Sequence, residues 1–341
     1  MLSRCHHTVL RAALLALVAF TWSCSQGNQG RARRVRIATY TQGSLTALPL
    51  VLTQRLGLFK GEGLDVTVEE TAGGTKAIEA LLGGSADVGS AFHELTVQMA
   101  AQGRDLTSFV SLARYPGYVL VPSPASRKEI RKIEDLDGVT VAVSSPGSPT
   151  DLYLKYVLAQ HGMRGTAAST VSAGSNMARV ALLERGTVGA AVLSDPAMTL
   201  FLRRHPNSLV FDDVRNQQGV KKLYGTDSYV SAALIARRSW LQTNPDVARR
   251  LARAVNRGLN WIHTHSIEEI EKETPDEMRG NDPALFAEAL RLSLPSFPPT
   301  ARFEPAGVAA VMKVLQVSDP EKKFAGLDSE KTYTSEFAAQ K

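Results

Sequence analysis

Cysteine is nearly absent. The 341 residues hold two, Cys5 and Cys24, so the body from Ser25 to Lys341 has none. That excludes internal disulfides, thiolate metal sites and cysteine nucleophiles in the body. The sequence also lacks an HExxH zinc motif, a nucleophile elbow and a phosphate-loop lysine. His263 and His265 are two residues apart on an expected helix and point apart, which makes them poor joint ligands. We therefore expect no catalytic residues, no metal and no cofactor. Charge of one sign is scarce as well. Thirty-nine Lys and Arg stand against 33 Asp and Glu, and the net charge of +6 falls by two if Arg4 and Arg11 leave with a leader. The basic residues are scattered, with Arg31, Arg33 and Arg34 the one dense group near the start, so no nucleic-acid footprint is present.

Long apolar runs are likewise missing, except for Ala12 to Phe20, which is too short to span a membrane. Preceded by Arg4 and Arg11, it reads as the core of a signal peptide over residues 1–23. Cys24, behind the small Ser23, resembles the lipid-modified cysteine of bacterial lipoproteins, although Thr21 and the bulky Trp22 depart from that pattern. The alternative is a cysteine that merely falls near a cleavage site. Residues 24–34 are polar and rich in Gly, Gln and Arg, which suits a tether anchored to a membrane by lipid alone. Roughly 310 residues remain, more than one core usually serves, so two lobes are expected.

Strand and helix patterns alternate along those residues. Val35 to Tyr40, Gly63 to Glu69 and Ala86 to Ala91 read as strands; Pro49 to Leu56, Lys76 to Leu82 and His93 to Ala101 read as helices. After a turn-rich crossing at Pro122 to Ala125 a second unit follows. It comprises a helix from Lys128 to Leu136, a strand at Val139 to Val143, a strand near Thr170, a helix from Met177 to Arg185 and a strand at Val188 to Leu193. Tyr229 to Ala236 is a further strand. The tail is helical, with Val247, Leu251, Val255, Leu259 and Ile262 on one face of a long helix. The resulting division is 35–121 for the first part of lobe 1, 122–228 for lobe 2, and 229–341 for a return to lobe 1.

The stretch VAVSSPGSPTDLYLKY, Val141 to Tyr156, joins a buried strand to a helix with Ser148 at the N-cap, Pro149 at the first helical position and Asp151 completing a capping-box variant. Such an elbow is either a tight βα turn or one jaw of a ligand clamp. Open α/β sheets bind ligands at strand carboxyl ends, where free N–H groups and helix dipoles attract acceptors. Ala80 to Glu94 (ALLGGSADVGSAFHE) and Ala181 to Asp195 (ALLERGTVGAAVLSD) echo one another and open toward the same kind of crevice.

Four phrases in order, GLFKGEGLDV (Gly57 to Val66), ALLGGSADVG (Ala80 to Gly89), DLDGVTVAV (Asp135 to Val143) and ALLERGTVGAAVLSDP (Ala181 to Pro196), resemble the nitrate, sulfonate and bicarbonate type of substrate-binding protein, the thiamine-precursor-binding-like family. The likeness covers roughly residues 34–315. It implies an α/β periplasmic-binding-protein fold of type II. Each lobe is then a mostly parallel sheet flanked by helices, and two crossing strands join the lobes. The implied function is a monomeric receptor that closes on a small ligand and hands it to the permease of an ABC importer from outside the cytoplasm.

Ligand candidates are the strand ends facing the cleft. In the first lobe these are Thr39, Tyr40 and Thr41, then Gly73, Gly74 and Thr75, then Phe92 and His93. In the second they are Ser144, Ser145, Gly147, Ser148 and Thr150, then Ser194 and Asp195, with Tyr115 and Tyr229 near the crossings. His93 is either a contact or a solvated cap, and Tyr40 and Tyr229 are either contacts or wall residues of the hinge. Facing helix N-termini near Thr75 and Ser148 suit a small organic anion such as an alkanesulfonate. Asp151 argues the other way, because a carboxylate in that first turn partly fills the role of an anion, and Asp195 does the same and suits instead an amino group or a heterocycle N–H. A thiamine-precursor-like pyrimidine, an enzyme on the same fold, and a receptor feeding a membrane sensor are the alternatives.

Overall fold

The strand Arg33–Thr39 (β1) sets the pattern of the first lobe. Val35, Ile37 and Ala38 are buried while Arg33, Arg34 and Arg36 stay exposed. The computed structural model describes residues 32–40, 43–319 and 321–338. The leader, Cys24, most of the tether and Thr41 lie outside the described residues. Beside β1 lie Leu64–Glu70 (β2) and Val88–Phe92 (β3), both parallel to it. Leu106–Ser111 (β4), an apolar strand that the sequence reading passed over, closes the edge. The second sheet contains Tyr118–Pro122 (β5), Thr140–Val143 (β6), Ser169–Ser172 (β7), Ala190–Ser194 (β8) and Asp212–Asp213 (β9).

Sheet orders are β2-β1-β3-β10-β4, where β10 is Ala232–Arg237, and β7-β6-β8-β5-β9. Each sheet has four strands in one sense and one in the other. The reversed strands are β10, antiparallel to β3 and β4, and β5, antiparallel to β8 and β9. They are the two strands that the chain enters directly from a crossing, so they start at the cleft where their neighbours end. The mostly parallel two-lobe α/β fold expected from the sequence is therefore present.

The crossings, residues 112–117 and 225–231, run against each other and hydrogen-bond. Tyr229 N–H donates to the Arg114 carbonyl at 2.9 Å and Ser231 N–H to the Ala113 carbonyl at 3.1 Å. The Ser231 hydroxyl also donates to the Tyr115 carbonyl at 2.7 Å. These bonds make the hinge a two-stranded ribbon instead of two independent linkers.

The longer helices are Leu48–Arg55 (α1), Gly74–Gly83 (α2), His93–Ala101 (α3), Pro149–Gln160 (α4), Asn176–Glu184 (α5), Ala197–Arg204 (α6), Gln217–Tyr224 (α7), Pro245–Thr264 (α8), Pro283–Ser293 (α9) and Pro305–Val317 (α10). In α8 the predicted face, Val247, Leu251, Val255, Leu259 and Ile262, is buried. Each such side chain contributes about 1.5–3 kcal/mol on burial. The face packs against α1, and α10 packs against both α3 and α4, so the tail touches the second lobe as well as the first.

Two local readings are corrected. The expected helix over Lys128 to Leu136 is a single 3-10 turn, Ile133–Leu136, because the Asp135 carboxylate takes the N–H groups of Arg131 and Lys132 and closes the turn early. At the elbow Ser148 does occupy the N-cap, but its hydroxyl accepts no helix N–H. Asp151 accepts the Gly147 N–H at 2.8 Å, one residue before the expected donor.

Helices α1 and α8 approach closely at Gly258, where a Cβ would come within 2.3 Å of Thr53 Oγ1. Gly258→Leu should lower unfolding stability by about 2–3 kcal/mol through overpacking. Denaturant titration measures it, and an unchanged midpoint would show that the contact yields freely.

Candidate functional site

The ends of β1, β3, β6 and β8 and the start of β5 meet between the lobes. They enclose a chamber of about 70 Å³. Lobe 1 supplies Tyr40, Ser44, Ala72, Gly73, Gly74 and Phe92; lobe 2 supplies Tyr118, Ser144, Pro149, Thr150, Gly174, Asn176, Arg179 and Ser194. Three helices of eight residues or more begin at its wall: α2 at Gly74, α4 at Pro149 and α5 at Asn176. Gly73 has φ +142°, a conformation that side chains rarely adopt, which brings bare backbone to the chamber.

Among the described residues, Arg179 is the one charged residue lining this space. It is 4% exposed, and neither Nε nor Nη1 has a partner. Its remaining nitrogen, Nη2, donates to Asn176 Oδ1. Burial pushes the guanidinium down to about 10, so it remains charged at neutral pH. Asn176 is held in turn: its Oδ1 accepts the Ser194 N–H at 3.1 Å and its Nδ2 donates to Ser194 Oγ at 2.8 Å. An unpaired buried cation costs several kcal/mol, and an anion in the chamber would remove that cost. Across the chamber the hydroxyls of Ser144, Ser148 and Thr150 lie 2.8–2.9 Å from one another, while Thr150 Oγ1 also accepts the Ser144 N–H at 2.9 Å.

The other wall is aromatic. Phe92 stacks on Tyr118 with centroids 5.5 Å apart and meets Tyr40 edge-on at 5.6 Å. Tyr40 OH donates to Thr46 Oγ1 at 3.0 Å, and that oxygen lies 2.9 Å from Ser44 Oγ. Burial raises the Tyr40 and Tyr118 hydroxyls, which therefore stay neutral.

Of the sequence-named candidates, the structure brings Tyr40, Gly73, Gly74, Phe92, Ser144, Thr150 and Ser194 together in the chamber. Ser148 stands behind Thr150 in the hydroxyl cluster, and Ser145 N–H donates to it at 3.4 Å. Thr75 and Gly147 line a neighbouring groove. Thr39 keeps its carbonyl on Thr71. Thr41 lies outside the described residues.

Four candidates are corrected. His93 is fully buried, with Nδ1 2.8 Å from Ser108 Oγ and Nε2 3.3 Å from Thr332 Oγ1, so the first turn of α3 turns it onto β4 and the tail. Burial holds it near 3, and it is neutral. Asp195 accepts the Thr199 N–H at 3.1 Å and hydroxyl at 2.6 Å, and pairs with Arg215 at 3.1 Å; its carboxylate serves the fold, while its carbonyl accepts the Leu45 N–H across the cleft at 3.3 Å. Tyr115 is buried in the crossing beneath the Arg114 guanidinium. Tyr229 donates to Glu94 Oε1 at 2.8 Å and stacks on Tyr224. Asp151 Oδ2 accepts the Gly147 N–H and pairs with Lys155, while Oδ1 is buried without a partner.

Sequence reasoning missed Arg179, Asn176, Tyr118, Ser44, Ala72, Pro149 and Gly174 as chamber residues. One signal was available: Arg179 sits on the same inward face of α5 as Val180 and Leu183, a charge where the pattern calls for an apolar residue. Tyr118 starts a reversed strand, where a rule about strand carboxyl ends does not look.

A family comparison adds to this geometry. The description "NMT1/THI5 like" matches residues 45–268, about two thirds of the chain. This chain belongs to the NMT1/THI5-like family. Its family and fold are those of solute-binding proteins. It is 26% identical over 260 residues to YtlA of Bacillus subtilis (strain 168), itself provisionally described as a binding protein, covering 74% of this chain and 73% of that one. A Bordetella bronchiseptica RB50 structure superposes with a TM-score of 0.84 at 29% identity, over 91% of this chain and 96% of the other. The alkanesulfonate-binding protein SsuA of Xanthomonas axonopodis pv. citri, bound to MOPS, gives a TM-score of 0.67 at 19% identity, over 84% and 93%. The nitrate-binding protein NrtA of Synechocystis PCC 6803 gives 0.68 at 14%, over 90% and 87%. The last two likenesses bear on the fold alone.

Behind the aromatic wall, Glu94 is buried and raised to about 7, chiefly by desolvation, with Oε2 lacking a partner. Its folded value exceeds its ordinary value near 4.5, so the native state holds the proton longer than the unfolded chain does. Stability attributable to this group is full below about pH 4.5 and is lost as pH rises toward 7, on the order of 3 kcal/mol. Glu94→Gln should remove that fall. The difference in unfolding free energy between variant and wild type should grow from pH 4.5 to 7, and the His93 contribution, common to both, cancels. A difference that stays constant across this range would rule out a raised Glu94.

Proposed function

We propose that this protein captures a small organic oxyanion, an alkanesulfonate or close analogue, by hinge closure outside the cytoplasm, and delivers it to the permease of an ABC importer. The observation that carries the reading is Arg179: a buried guanidinium with two nitrogens unsatisfied among the described residues, in a chamber whose described lining holds no carboxylate and is faced by three helix N-termini. Alkanesulfonate- and nitrate-binding proteins among the structural neighbours support it, as does the periplasmic location named for SsuA of Escherichia coli. A monomer, tethered through a lipid on Cys24, completes the proposal.

Closure has identifiable contacts. Leu45 N–H reaches the Asp195 carbonyl, and Gln98 Nε2 donates to the Gly147 carbonyl at 3.2 Å. Arg203 pairs with Asp282 at 3.1 Å and Glu288 at 2.9 Å. Each is solvent-exposed or single, worth about 1 kcal/mol or less. An anion bound by both lobes would add the differential contact energy that favours the closed form.

In a thermal-shift and calorimetric screen, sulfonates, taurine, nitrate, bicarbonate, carboxylates and pyrimidines are compared. Sulfonates should raise Tm by a few degrees at about a hundred times Kd. Arg179→Met should weaken that binding at least about 30-fold, from the loss of charge-assisted hydrogen bonds, while the ligand-free protein keeps or gains stability. Equal affinity in the variant would sink the role of Arg179. Binding of a pyrimidine and of no oxyanion would replace the reading with a heterocycle receptor, stacked on Phe92 and Tyr118.

Gly74→Val tests the chamber from the other lobe. A Cβ there would lie 3.1 Å from Leu95 Cδ1 and 3.5 Å from Ala91 Cβ, so added methyl groups would have to enter the ligand space. Calorimetry should show binding lost with the fold retained. Retained affinity would place the ligand away from α2.

A further inference from the structure

The anion chamber does not stand alone. A groove of about 550 Å³ lies beside it, floored by Ile78 of α2, Leu95 and Met99 of α3, Leu152 of α4, Leu315 of α10 and Phe324. Both lobes and the returning tail contribute. Chamber and groove share the same two chain turns. Helix α2 begins with Gly74 in the chamber and continues with Thr75 and Ile78 in the groove. On the opposite side Gly147 lines the groove, Pro149 and Thr150 the chamber, and Leu152 the groove again.

The partition is thin. Gly74 has no side chain, and Leu95, a groove residue, sits 3.1 Å from where its Cβ would be. Gly147 has φ +76° and nothing within 4 Å of a Cβ position. The bond from Gln98 to the Gly147 carbonyl joins the lobes at this place and is solvent-exposed, so it can exchange for water without cost to the core. Gln98, Gln102, Lys155, Asp319, Glu321 and Lys323 supply the polar part of the groove lining beside the apolar floor, so the charged head is favoured at Arg179 and the uncharged chain in the groove.

Building on the oxyanion reading, we propose that this groove is the subsite for the hydrocarbon chain of the same ligand. The cargo is then an oxyanion carrying a linear apolar chain of several carbons, with its head at Arg179 and its chain passing between Gly74 and Gly147 onto Leu95, Met99 and Leu152. A hydrocarbon chain that leaves water for this groove gains transfer free energy, and one continuous with a bound head group gains it with little further loss of freedom.

The test is a calorimetric series of methane-, butane-, hexane- and octanesulfonate on the full chain. Affinity should rise by about threefold to fourfold per methylene buried, then level off when the groove is full. Met99→Glu, at a half-buried helical position that tolerates the change, should give a loss that grows with chain length, whereas Arg179→Met should weaken every member by a similar factor. A flat series with methanesulfonate still bound overturns the subsite and leaves the head-group reading standing. A rising series that Met99→Glu does not alter places the chain elsewhere and also overturns it. If no member binds, the alkanesulfonate reading fails, and the subsite falls with it.

Discussion

Everything in this protein hangs from the hydrogen-bonded ribbon formed by residues 112–117 and 225–231. Because the chain passes through that ribbon into β5 and β10, those strands must start where β8 and β3 end, and each sheet receives one reversed strand. The register that follows sets Tyr118 opposite Ser194 and Ala232 opposite Phe92. Both lobes consequently offer their ligand-binding edges to a single cleft. The ribbon lies outside both sheets, so a bend there would leave their strand pairing intact, which is the geometry a hinge requires.

Within the cleft, burial and charge are set against each other. Asn176 fixes one guanidinium nitrogen of Arg179 and the end of β8 at once, so the cation is oriented yet leaves two donors free. Other buried charges are spent differently. Asp195 is matched by Arg215 and Thr199, Asp151 by Lys155 and Gly147, and Arg215 also by Asp213. Asp195 and Arg215 are matched by their neighbours, Asp151 keeps Oδ1 without a partner, and Arg179 keeps Nε and Nη1 without one. Arg179 combines free donors with a place in the chamber lining, which marks it as a binding group.

The aromatic residues show the same division. Tyr40, Phe92 and Tyr118 wall the chamber, while Tyr224 and Tyr229 lie behind it and end on Glu94. In sequence these tyrosines look alike. Tertiary contact alone gives Tyr229 a carboxylate partner and gives Tyr118 a face toward the ligand space.

The sequence by itself determined the alternation of strands and helices, the apolar stripe of the long tail helix, the glycines at Gly73 and Gly74, and the polar ends of β6 and β8. These are local matters of period, turn chemistry and capping, so they are legible one segment at a time. The four ordered phrases pointed to the family for the same reason, since each records a local helix–turn–strand constraint. Only the tertiary structure decided which polar groups are consumed by neighbours and which remain open. His93 and Asp195 were drawn into the interior by Ser108, Thr332, Thr199 and Arg215, partners as far as 239 residues away in sequence. Arg179 was left unpaired by the same packing. Hydrogen-bond satisfaction is a property of three-dimensional neighbours, and strand sense depends on where the chain enters a sheet, so neither is written in any one stretch of residues.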